Sequence, residues 1–93
     1  MKWDIELNPR AEARIKFTEE ETIEYRVEPL DGTGGELQGK VTVGEQSSGI
    51  RVVLIYDDNL EPAEVQIKTN RSLTWKNKQS RRVRLYSLPK VIV

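Results

Sequence analysis

Hydrophobic and polar positions alternate along most of this chain, with the period of β-strands. Trp3, Ile5 and Leu7 alternate with Asp4 and Glu6 until Asn8-Pro9 breaks the pattern. Ala11, Ala13, Ile15 and Phe17 alternate with Glu12, Arg14 and Lys16. A helix would scatter these four apolar residues around its circumference, so period two outvotes the helix-favouring composition. After a polar turn at 18–21, Ile23, Tyr25 and Val27 alternate with Glu24, Arg26 and Glu28, and the two segments read as a hairpin. Leu37, Val41 and Val43 share one face, with Gly39 where a bulge would fit. Ala63-Val65-Ile67, Leu73-Trp75 and Val83-Leu85 repeat the alternation, and Lys90-Val91-Ile92-Val93 reads as a short last strand after Leu88-Pro89.

One segment departs from this pattern. Val52 to Tyr56 is an unbroken apolar run that opens after Gly49 and closes at Asp57-Asp58-Asn59. Its β-branched residues favour a strand. With apolar residues on both faces it reads as the central strand, covered on both sides, around which the others pack.

Eight or nine short strands, spaced by turn signals and without a helical period, predict an all-β fold. Residues 1–93 read as one domain, an antiparallel β-sandwich of about 7–9 strands, with a small, partly open barrel as the alternative. The loops after the third and fourth strands are long enough to cross between sheets. Strand number and spacing resemble immunoglobulin-like and fibronectin-like sandwiches. The paired cysteines and characteristic tryptophan of the former are missing, so the resemblance is one of architecture and carries no activity.

Composition narrows the chemistry. The chain has no cysteine and no histidine, which removes disulfides, thiolate chemistry, the commonest general base and the commonest transition-metal ligand. Nothing approaches the roughly 18 apolar residues of a membrane span, and no secretory leader is recognisable. The expectation is a soluble, cytoplasmic protein that is not an enzyme, with no cofactor and no small-molecule substrate.

Net charge is zero, yet the distribution is lopsided. Residues 1–64 hold all 15 acidic residues and seven basic ones, a balance of −8; residues 65–93 hold eight basic residues and no acid, +8. One reading is intramolecular pairing of the basic third with acidic strands. The functional reading centres on Lys76, Lys78, Arg81, Arg82, Arg84 and Tyr86, set around a turn at 77–80 that reads as a basic hairpin. Arg82, Arg84 and Tyr86 would share a face, while Trp75, in phase with Leu73, belongs to the core. These residues predict a binding surface for a protein partner, including a second copy of the chain docked through complementary acidic and basic faces. Val91, Ile92 and Val93 offer a candidate edge strand for the same purpose. The alternative is nucleic acid, whose phosphates and bases suit cations beside aromatic rings.

Three further motifs read as ordinary turns. Asp57-Asp58-Asn59-Leu60-Glu61 offers oxygen ligands, as calcium requires, but lacks the glycine and distal glutamate of the helical calcium loop. Gly32-Thr33-Gly34-Gly35 precedes a strand rather than the helix that a phosphate-cradling loop needs, so it reads as a flexible connection. Asn70-Arg71-Ser72 fits the glycosylation triplet but sits at a turn.

Overall fold

The computed structural model describes residues 1–89, so the candidate edge at Val91, Ile92 and Val93 lies outside the described residues. Nine strands and no helix are found among them: β1 (Asp4–Leu7), β2 (Glu12–Phe17), β3 (Glu21–Pro29), β4 (Leu37–Gly44), β5 (Val52–Ile55), β6 (Leu60–Glu61), β7 (Glu64–Lys68), β8 (Arg71–Asn77) and β9 (Val83–Ser87). Eight coincide with segments of alternating or continuous apolar pattern. The exception is β6, two residues within what reads as a loop.

The strands form two facing sheets. One has five strands in the order β1-β9-β3-β4-β7, the other four in the order β2-β8-β5-β6. The short dimension of 17 Å is that of two layers packed roughly 10 Å apart. No barrel closes. The sheets are mixed rather than purely antiparallel, because β4 with β7 and β5 with β8 run parallel while the other five pairings are antiparallel.

The chain changes sheet at nearly every connection; only β3–β4 and β5–β6 are consecutive neighbours within one sheet. The predicted hairpin of Ala11–Phe17 with Ile23–Val27 is therefore not formed. β2 pairs with β8, β3 pairs with β4 and β9, and the turn at 18–20 carries the chain across the core. Both arrangements bury the same alternating residues, so the pattern alone does not separate them. The β3–β4 loop stays within its sheet, whereas the β4–β5 loop crosses as expected.

Inward-facing residues of both sheets make the core. The five-stranded sheet contributes Leu7, Ile23, Tyr25, Val27, Val41, Val43, Val65, Ile67, Val83 and Leu85; the other contributes Phe17, Val53, Ile55, Leu60, Leu73 and Trp75. Four aromatic rings meet within it. Trp75 lies edge-on to Tyr25 at 5.4 Å between centroids, and Trp3 stands edge-on to Phe17 at 5.8 Å. Gly39 makes this cluster possible. Register runs unbroken through Tyr25↔Gly39, so there is no bulge, and a Cβ at Gly39 would overlap Cζ of the Tyr25 ring.

The apolar run Val52–Tyr56 does not organise the fold. Val53 and Ile55 are fully buried, but Val52 is 37% exposed and Leu54 half-buried. β5 has one covered face and, among the described residues, only the two-residue β6 beyond it. The central places belong to β9, β3 and β4 in one sheet and to β8, which joins β2 to β5, in the other.

Candidate binding surface

The predicted basic hairpin is an arch. β8 and β9 lie in different sheets, and residues 78–82 span the end of the sandwich. A buried amide network fixes it. Asn77, fully buried, donates through Nδ2 to Leu7 O, Asn8 O and Arg81 O, while its Oδ1 accepts from the Gln79 amide at 3.0 Å. Gln79 Nε2 donates to Tyr56 O at 2.9 Å, tying the arch to the end of β5. These side chains satisfy backbone groups that an arch would otherwise bury unpaired.

Arg81 extends the network to the glycine-rich loop. Its Nε donates to Gln79 Oε1 at 2.7 Å, and its Nη1 donates to both O and Oγ1 of Thr33. The Thr33 hydroxyl and amide both donate to Asp31, holding that carboxyl below the usual range, and the Arg81 charge acts in the same direction. Gly34, at φ +81°, lets the backbone close over the guanidinium, since a Cβ there would meet Arg81 Nη2 at 2.9 Å. The loop is thus tethered rather than free.

The remaining C-terminal cations separate onto opposite faces. Arg84 and Tyr86 on β9, and Arg82 just before it, lie on the outer face of the five-stranded sheet, as expected, whereas Lys76 lies on the outer face of the other sheet and Lys78 is exposed on the arch. β9 runs between β1 and β3, so its cations meet their acids. Arg84 bonds to Asp4 and approaches Glu28 at 3.7 Å, and Arg82 reaches Glu6 at 3.0 Å. Lys76 stands 3.9 Å from Glu12. The hydrogen bonds to Asp4 hold the Arg84 guanidinium more firmly charged, and its plane covers the Tyr86 ring at 5.1 Å. Burial and the hydrogen bond to Glu36 push the Tyr86 phenol up to about 12.

Asp57 and Asp58 are exposed in the β5–β6 turn, closed by Tyr56 N donating to Asn59 O at 2.9 Å. Among the described residues, no three acidic side chains gather in a cluster able to hold a metal ion, and no helix is long and apolar enough to cross a membrane.

Known protein families, curated proteins and solved structures offer no match to this chain. What its surface can bind has to come from its own geometry, and there the four sheet edges differ. β6 has two residues and β1 four. β7 is covered by the 45–51 loop, where the amide and hydroxyl of Ser48 both donate to Gln66 O. β2 has six residues, with β8 on one side and, among the described residues, no strand on the other.

Asn77 N donates to Ala11 O, which fixes the antiparallel alternation. Ala13, Ile15 and Phe17 therefore bond to β8, and the amides and carbonyls of Glu12, Arg14 and Lys16 face out of the sheet. Beside this edge Trp3, Ile5, Ala11, Ala13 and Ile15 pack on the core but stay half-buried. Sequence reasoning passed over β2 because an edge strand and a central strand with one covered face carry the same alternation. The weak inward side chains, Ala11 and Ala13, are the one signal it offered.

Proposed function

We propose that this chain is a non-catalytic protein-binding module that receives a strand from a partner along β2, the simplest such partner being a second copy of itself. The observation that carries the reading is the outward row of amides and carbonyls at Glu12, Arg14 and Lys16, flanked by half-buried apolar side chains. Such an edge supplies main-chain hydrogen bonds, and the alternate side chains supply selectivity. Charges at all three outward positions discourage indiscriminate pairing, so a partner strand needs complementary charge.

The complementary-faces route draws on cations already set against carboxylates, as at Arg82 and Arg84. The nucleic-acid alternative draws on the same residues, and Trp75, its best stacking ring, is fully buried. An immunoglobulin-like label rests on strand number and spacing; the parallel pairs β4/β7 and β5/β8 depart from that all-antiparallel pattern.

The test is sedimentation over a concentration series at low and moderate salt, with Lys16→Pro as the variant. Proline at an outward edge position removes one exposed amide and leaves the β8 ladder in place. The expected result is reversible dimerisation that Lys16→Pro abolishes while the cooperative melt persists. A chain that stays monomeric at every concentration, or a dimer indifferent to Lys16→Pro, overturns β2 self-pairing.

A further inference from the structure

One depression at the end of the four-stranded sheet is lined by three arginines that lie far apart in sequence. Register places Arg14 on β2 opposite Thr74 on β8, and Val52 on β5 opposite the same Thr74. Arg51, just before β5, accepts the Thr74 amide through its carbonyl at 2.9 Å. Arg71 opens β8, two residues before Leu73 on the buried face. Adjacent strands are about 4.8 Å apart, so Arg14 on one side of β8 and Arg51 on the other stand roughly 10 Å from one another at the backbone. That span is within reach of two converging guanidinium groups.

Between them lies a depression of about 240 Å³ walled by Arg14, Arg51, Arg71 and Asn70, with the half-buried hydroxyl residues Ser72 and Thr74 among its lining. No acidic residue lines it. None of the three arginines enters an ion pair among the described residues. Several cations at other places do stand against acids: Arg84 against Asp4 and Glu28, Arg82 against Glu6, Arg26 against Glu36, Lys40 against Glu64. The depression on the opposite sheet around Arg26 and Lys40 is lined by Glu24 and Glu64 as well. Three like charges around one concavity repel until an anion enters, and each guanidinium presents a planar fork of donors.

From this we infer that the depression is a binding site for phosphate or a phosphate monoester. A carboxylate has two oxygens and is satisfied by one fork. A tetrahedral dianion offers an oxygen to each of three forks and still accepts from the Ser72 and Thr74 hydroxyls. Val52, exposed at the same depression, supplies an apolar wall for the carbon side of an ester. The site shares Arg14 with the β2 edge, but Arg51 precedes β5 and Arg71 opens β8, so their variants test it apart from strand addition.

The experiment is a titration of the intact chain with inorganic phosphate, phenyl phosphate and chloride at matched ionic strength, followed by amide chemical shifts and by the melting temperature. Saturable shifts centred on residues 51–52 and 70–74, with a rise in melting temperature that chloride does not give, are expected. Arg51→Gln and Arg71→Gln, both at exposed positions, should each weaken binding by about tenfold or more, and Arg82→Gln on the opposite sheet should not. Tighter binding of phenyl phosphate marks a monoester as the ligand, and equal binding marks the free ion. Equal effects of phosphate and chloride overturn the site. So does binding confined to a short oligonucleotide with no response to either small phosphate, which would mark a polyelectrolyte surface instead.

Discussion

Gly39 and Tyr25 form the tightest interdependence in the core. In an ordinary strand, replacing glycine by alanine gains stability, by about 0.5–1 kcal/mol, because the unfolded chain loses freedom. Here the Tyr25 ring lies where the new methyl would be, and the ring cannot swing aside because Trp3 and Trp75 pack on it at 6.2 and 5.4 Å. Overpacking wins, and Gly39→Ala should cost about 3 kcal/mol in denaturant unfolding. Measured again in a Tyr25→Leu background, the cost should largely disappear, since the two positions are coupled. An unchanged cost in the double variant would mean that the backbone at Gly39, not the ring, sets the requirement.

Strand β5 shows how composition misleads about centrality. Its five-residue apolar run suggests burial on both faces, yet only Val53 and Ile55 meet the core. Val53→Ala should cost about 2 kcal/mol, the lost methyl groups plus the cavity they leave. Val52→Ala, on the exposed face, should stay within about 0.5 kcal/mol. Urea unfolding of the two variants checks this, and equal losses would place a cover over Val52. The strands that do hold the centre, β3, β4, β8 and β9, are ordinary alternating segments. Their rank comes from having neighbours longer than the two-residue β6 on both sides, and neighbours are not written in a strand's own residues.

The two sheets share one core, so ionisation of a buried group acts on the stability of the whole chain. Burial pushes the Tyr25 phenol up to about 12; Trp75 leans on it closely enough to favour the charged form slightly but closes no hydrogen bond of good geometry. Tyr86 is raised to about 12 as well. Both ionise near 10 in an unfolded chain. A folded value above the unfolded one gives stability that is complete below about pH 10 and is lost as pH rises through about 12. Denaturant midpoints should therefore fall across that window. Tyr25→Phe should soften the fall, and it should not lower stability at neutral pH, because the hydroxyl it removes has no partner among the described residues. A midpoint flat from pH 9 to pH 12 would contradict this coupling.

The sequence by itself determined which side chains go inside. Period-two alternation placed Trp75 with Leu73, Tyr25 with Ile23 and Val27, and all-β class followed, because the pleat sends successive side chains to opposite faces whatever lies next to the strand. Intramolecular pairing was legible too, as a surplus of acid before Glu64 and of base after it. Pairing between strands was not legible, for a physical reason: an arch and a hairpin bury the same alternating residues and differ only in which backbone edges meet. That choice split Lys76 from Arg84, turned the basic hairpin into an arch held by Asn77 and Gln79, and left β2 at an edge. It also drew Arg14, Arg51 and Arg71 to one depression. No spacing along the chain announces that cluster, since its members sit on β2, at the start of β8 and just before β5, and meet only once β8 lies between β2 and β5.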